Sequence, residues 1–141
     1  KTNELGLDII KYYEGLRLNK YRCPGGYNTI GYGHKILPHE SYEVITNSKA
    51  EELLIEDVKK MEKSMDKLIE VDLSSNQYSA ITSFVYNLGA TNFANSTLLK
   101  KINLNQHLDV PSELVKWIYS GKEKLLGLLR RRIEEANLYV K

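Results

Sequence analysis

Three residues near the N-terminus have the types and spacing for acid-assisted bond cleavage: Glu14, Cys23 and Thr29, in the pattern Glu14-x8-Cys23-x5-Thr29. Glu14 follows Ile10 by four residues and precedes Gly15, so it stands in the last turn of a helix, at the border of the buried face. There the negative end of the helix macrodipole and partial burial both favour a protonated carboxyl. A glutamic acid kept protonated near neutrality is what protonation of a glycosidic oxygen requires. Cys23 is the single cysteine of the chain and lies directly before Pro24-Gly25-Gly26, a turn that folds a second strand back on the first. Thr29 falls on that second strand, so an acid, an ionisable thiol and a hydroxyl can converge on one cleft. Spacing alone leaves plainer readings open. A glutamate ending a helix is commonly exposed, a lone cysteine is commonly a small buried hydrophobe, and threonine is a good strand former.

These residues need a frame to hold them. A first helix is expected from about 3 to 14, with Leu5, Ile9, Tyr12 and Tyr13 as its apolar stripe. A β-hairpin lobe follows over about 15–45, with strands near 17–22 and 27–32. Two strands alone are marginally stable, so this lobe must lean on helices. Thr46 is a helix N-cap, and Leu53, Leu54, Val58, Met61, Met65, Leu68 and Ile69 keep a helical period over about 46–70. A helix of that length ties two lobes together, with its methionines as core filler.

Ser74 with Gln77 forms a capping box for a helix carrying Ala80, Ile81, Phe84, Val85 and Leu88, stopped by Gly89. Ser96 caps a short helix through Ile102, and another is expected from about Pro111 to Tyr119. The last helix carries Leu125, Leu128, Leu129, Ile133, Ala136 and Val140. The expected architecture is α+β and mostly helical, a single domain over 1–141 with its helical lobe at about 74–141. His34, ending the second strand, and Asp57, three turns into the long helix, are predicted to pair across the join. Arg130-Arg131-Arg132 before Glu134 and Glu135 reads as a solvated helix face with i,i+4 pairs.

Composition narrows the function classes. With 141 residues and 42% apolar content the chain can bury one real core, and 27% charged residues argue against disorder. No apolar run approaches the roughly 18–20 residues that cross a bilayer, so no membrane partner is expected of this chain. A net charge of +2 is too mild for nucleic acid. One cysteine makes no internal disulfide and no thiol zinc site, so neither metal nor cofactor is expected. The chain opens at Lys1 without a recognisable leader, which leaves room for a removed leader or anchor. A monomer is expected.

The segment "YYEGLRLNKYRCPGGYNTIGYGH" closely resembles the catalytic segment of bacteriophage-type lysozymes, the endolysins of glycoside hydrolase family 24. "ITNSKAEELLIEDV", residues 45–58, resembles the start of that family's interlobe helix. "NQYSAITSFVYNLGATNFANSTLL", residues 76–99, resembles its second signature, and "GLLRRRIEE", residues 127–135, its third. Together these span most of the chain in the right order.

The resemblance implies a lysozyme-like fold with a peptidoglycan cleft between a β-hairpin lobe and a helical lobe. It implies Glu14 as general acid, Cys23 at the position of the second catalytic residue, and Thr29 positioning the attacking water. Tyr86 and Ser96 match positions that contact sugar, and His34 matches one with a structural role. One arginine of the cluster would reach back toward Glu14; Arg131 is the candidate, with the choice among the three open. Position 23 departs from the commoner Asp, and a thiol with a pKa near 8.5 is mostly neutral at pH 7.

The expected function is a muramidase cleaving the β-1,4 bond between N-acetylmuramic acid and N-acetylglucosamine, with inversion. Such a protein is made in the bacterial host cytoplasm and acts on the cell wall, in the periplasm, in host lysis. The alternatives are a lytic transglycosylase, which needs no water-positioning pair and is disfavoured by Thr29, and a non-catalytic wall-binding module, disfavoured by the complete Glu-Cys-Thr set.

Overall fold

The computed structural model describes residues 1–141. Helix α1 (Glu4–Glu14) is capped by the Asn3 side chain, which accepts from the Gly6 N–H, and stops at Gly15, whose φ of 72° a side chain would resist. The chain then forms an antiparallel sheet of β1 (Arg17–Arg22), β2 (Asn28–Gly31) and β3 (His34–Lys35). Tyr21 stands opposite Thr29 and Arg17 opposite Gly31, with the register broken between them by a bulge. His34 does not end the second strand, as the sequence suggested, but opens this third one. Beyond β1, Asn19 bridges to Val44, which draws the loop before α2 onto the sheet edge.

Helix α2 (Asn47–Leu68) starts at the Thr46 cap, and its 22 residues give a length of about 33 Å. Along that length it enters three apolar clusters in turn. Ala50 and Leu53 pack under the sheet with Ile30 and Ile45. Leu54 and Val58 meet Leu7 and Ile10 of α1. Met65 reaches the main core of the helical lobe. One helix thus anchors both lobes, as its period predicted.

The helical lobe contains α3 (Ser75–Leu88), α4 (Ala90–Ala94), α5 (Thr97–Asn103), a single 3-10 turn (His107–Asp109), α6 (Val110–Leu114) and α7 (Leu126–Val140). The Ser74–Gln77 capping box is present in full. Helix α6 ends at Leu114, well before the expected Tyr119. There Trp117 turns its ring onto Phe84, at 5.5 Å between centroids, and a small hairpin of β4 (Tyr119–Ser120) and β5 (Glu123–Lys124) follows.

Two amphipathic faces differ from the periodicity reading. Helix α1 buries Gly6, Leu7 and Ile10, while Leu5 stays 42% and Tyr12 77% exposed. The expected stripe instead lines a shallow groove of about 460 Å³ beside Leu138 of α7. Gly6 decides this: a Cβ there would lie 2.7 Å from Ser79 Cβ, so the side of α1 lacking a side chain is the one that meets α3. Helix α7 leaves Ile133 and Val140 exposed and buries Arg131, Arg132 and Glu135 among Ala136, Leu138 and Tyr139. Of the basic cluster only Arg130 is exposed; the expected i,i+4 pair, Arg131 with Glu135, forms inside the protein and not on a solvated face.

Candidate active site

Glu14 ends α1 in the cleft between the lobes, its side chain 22% exposed. Arg131 Nη1 donates to its Oε2 at 2.8 Å, which settles the choice among the three arginines. On the other side stands Gly33, in the turn between β2 and β3, with φ of 75°. A Cβ at Gly33 would lie 2.7 Å from Glu14 Oε1. The carboxylate is thus clamped between a guanidinium and bare backbone.

Arg131 is itself held. Its Nη2 donates to the Ser83 carbonyl at 3.1 Å, and its Nε stands 3.4 Å from Glu135 Oε2. Ser83 donates to the same Glu135 oxygen at 2.6 Å, and Arg132 Nη2 donates there at 3.0 Å and to Asn87 Oδ1 at 2.8 Å. Arg132 Nε lies 2.7 Å from Glu135 Oε1, a close ion pair whose angles are too poor for a hydrogen bond. Burial pushes the Glu135 carboxyl up, with Arg132 and Arg131 opposing it. Removing one member of such a buried group leaves an unpaired charge, which costs several kcal/mol. The network makes α7 the rigid mount of the acid.

On the sheet side, Cys23 is half-buried just after β1, where its N–H donates to the Tyr27 carbonyl at 2.9 Å. Thr29 is buried, and its hydroxyl donates to the same carbonyl at 3.0 Å. The hydroxyl also reaches the Cys23 sulfur, and this contact, with a backbone bond at Tyr27, holds the thiol below its ordinary pKa. A hydroxyl has one proton, so carbonyl and thiolate compete for it while its lone pairs stay free to accept. Tyr21 lies within electrostatic reach of both Glu14 and Cys23, which joins the two sides of the cleft.

Glu14 lines one cavity, and Gly33, against which it rests, lines a second. One, of about 440 Å³, is lined by Tyr13, Glu14, Asn87, Leu125, Leu128 and Arg131. The other, of about 310 Å³, runs from Gly33 past Lys35, Asp57, Lys60 and Tyr86 to Asn87. Asn87 borders both. Tyr86 offers its ring to the second cavity, but its hydroxyl is committed to the Tyr32 carbonyl at 2.6 Å. Burial pushes that phenol well above its usual range.

His34 and Asp57 pair as expected, Nδ1 to Oδ2 at 2.7 Å. The sequence reading missed the second partner: Glu40 Oε1 lies 2.9 Å from Nε2 and also accepts from the Leu37 N–H. The Asp57 hydrogen bond raises the His34 pKa, against the effect of burial. Burial pushes Glu40 up, but the Leu37 N–H and His34 outweigh it and hold Glu40 below its ordinary value.

Ser96 does not join the cleft. It is buried, donates to the Phe93 carbonyl at 2.6 Å and accepts from the Leu99 N–H at 3.0 Å, so its hydroxyl is used up in capping α5. A sugar contact at Ser96 would have to compete with this cap. Gly33, Asn87 and Glu40 were not anticipated. Gly33 had a signal, since a glycine between two aromatic-flanked strand ends marks a turn with positive φ. Asn87 and Glu40 had none.

A helical lobe and a small sheet enclosing one clamped glutamic acid, with a hydroxyl and a thiol opposite, define a lysozyme-type cleft. Residues 11–135 match the family model described as phage lysozyme, and the chain belongs to that family. It is 41% identical to the endolysin of Acyrthosiphon pisum secondary endosymbiont phage 1, over 97% of this chain and 96% of that one. With the endolysin of Salmonella phage P22 it shares 37% identity over 93% and 92% of the two chains. It spans only 53% of the Bacillus phage B103 endolysin, at 37% identity. Among solved structures, the endolysin from Escherichia coli O157:H7 phage FAHEc1 superposes with a TM-score of 0.89 at 32% identity, covering 100% of this chain and 94% of that one.

Proposed function

We propose that this chain, as a phage-lysozyme-family glycoside hydrolase acting on peptidoglycan, cleaves the β-1,4 bond between N-acetylmuramic acid and N-acetylglucosamine in host-cell lysis. The observation that carries the reading is the clamped Glu14 carboxyl group, 2.8 Å from Arg131, which lines one cavity and rests against Gly33 at the edge of a second. A glycan lying through both cavities crosses Glu14 with its scissile oxygen. Glu14 protonates that oxygen as the bond breaks. Cys23 and Thr29 hold a water on the opposite face: the Thr29 oxygen accepts a hydrogen bond from it, and the Cys23 thiolate takes its other proton as the water oxygen bonds to the anomeric carbon, leaving a hydroxyl there.

The lowered Cys23 pKa supports this role, because more thiolate is present near neutrality than an ordinary thiol would supply. Attack by water inverts the anomeric centre, and the inverting arrangement leaves about 6.5–9.5 Å between the acid and the water-holding group. The chain works as a monomer made in the cytoplasm of the bacterial host.

Glu14→Gln tests the reading. The amide keeps shape and hydrogen bonding but has no proton to give, and general acid catalysis is worth about 100- to 10,000-fold. Turnover of purified peptidoglycan should fall by that range with the melting temperature nearly unchanged. Mass spectrometry of wild-type products should find reducing ends; anhydro-sugar ends would make the protein a transglycosylase instead. Activity in Glu14→Gln within a few-fold of wild type would remove Glu14 from the acid role.

A further inference from the structure

The cavity on the His34 side of Glu14 holds an unbalanced positive charge. Its ionisable lining consists of His34, Asp57, Lys35 and Lys60. Asp57 and Glu40 face the two ring nitrogens of His34 at 2.7 and 2.9 Å. With both nitrogens protonated and donating, His34 is a cation set against two carboxylates, and the trio holds one net negative charge. Lys35 and Lys60 outweigh it and leave the cavity one positive charge. Neither is in an ion pair, although Glu56 stands one helical turn before Lys60.

Lys35 has a defined position. It pairs with Thr29 across the sheet, and its ammonium rests 4.3 Å from the centroid of the Tyr27 ring. It therefore stands beside the proposed water-holding pair, and it lines the same cavity as Lys60 of α2. Two unpaired cations in a concave wall concentrate anions at that place.

We propose that this cavity is a carboxylate subsite for the muramyl residue of the glycan. The proposal rests on the peptidoglycan reading above. N-acetylmuramic acid differs from N-acetylglucosamine by a lactyl ether that ends in a carboxyl group. That group is either free or amide-linked to a stem peptide that carries carboxylates of its own. Lys35 and Lys60 bind this acid and so distinguish the wall polymer from a plain N-acetylglucosamine polymer, which has none. Specificity here is a matter of charge, separate from the chemistry at Glu14.

The test is equilibrium binding by calorimetry in a Glu14→Gln background, so that the ligand persists. Three tetrasaccharides serve as probes: alternating N-acetylglucosamine and N-acetylmuramic acid with free lactyl acids, the same with stem peptides, and N-acetylglucosamine alone. Lys35→Gln with Lys60→Gln should weaken binding of an acid-bearing probe about tenfold at low salt and leave the plain probe within twofold. Loss on the free-acid probe assigns the bound group to the lactyl arm; loss confined to the peptide probe assigns it to the stem. Lys60→Glu should weaken acid-bearing probes further. Equal losses on all three probes, or none on either acid-bearing probe, would overturn the proposal. Turnover by the Glu14→Gln protein would count against the acid assignment alone, and the same lysine comparison would then be read from KM.

Discussion

Gly33→Ala isolates the clamp on the Glu14 carboxyl group. An alanine Cβ would sit 2.7 Å from Glu14 Oε1, some 0.5 Å or more inside ordinary contact. Glu14 cannot simply swing away, because Arg131 holds its other oxygen at 2.8 Å and is itself fixed by Ser83 and Glu135. Misplacing a reacting group by about 1 Å can cost on the order of 100-fold, so a shift of roughly half that predicts about a tenfold fall in kcat.

The same substitution carries a backbone penalty for a side chain at φ of 75°, about 1–2 kcal/mol. For a chain of this size that lowers the melting temperature by roughly 3–7 °C. Gly121→Ala supplies the control. Its φ is 63° and nothing lies within 4 Å of the added Cβ, so it should lose similar stability and no activity. The assays are thermal melts and initial rates of peptidoglycan clearing well below the melting point. A Gly33→Ala protein that keeps its kcat, or loses it only as much as Gly121→Ala, would refute the clamp.

Cys23 should be alkylated by iodoacetamide in the folded protein, with strong inhibition and slowing by a saturating saccharide. Cys23→Asp should stay active, while Cys23→Ala should lose activity about tenfold or more with little change in melting temperature; slow labelling and full activity in the alanine protein would make the sulfur mere packing. His34, whose folded pKa is raised, contributes stability that is full below its unfolded value near 6.5 and lost as pH rises through the higher folded value. Glu40, whose folded pKa is lowered, contributes above its unfolded value and is lost as pH falls through the folded one. Melts should therefore be flat between those limits, and His34→Asn should remove the alkaline loss; an unchanged alkaline limb would show that another group sets it.

The sequence was most legible where side-chain period and local hydrogen bonding act alone. The Thr46 cap, the Ser74–Gln77 box and the Leu53-to-Met65 period of α2 all stand as read. The placement of Glu14 at a helix end, with Cys23 and Thr29 at the neighbouring sheet, was legible because their short sequence spacing leaves little choice. Errors came where tertiary packing overrode hydropathy. On α1 the contact with α3 is made through a residue with no side chain, Gly6, which no apolar count can detect. On α7 the core is filled by charge, and Arg132 and Glu135 are both fully buried because they neutralise one another. The Ser96 cap was legible from local hydrogen bonding as well, its hydroxyl accepting from the Leu99 N–H.

The acid and its partner are 117 residues apart in the chain. During synthesis Glu14 emerges early, and α1 can form while the guanidinium that orients it is still unmade. Domains fold as units, and here the unit closes only when α7 packs against α3. A nascent or truncated chain that stops short of Arg131 carries the whole Glu-Cys-Thr set and still lacks a mount for the acid. For an enzyme of the peptidoglycan-degrading family, a chain that stops short of α7 is expected to be silent, and competence to arrive with that helix.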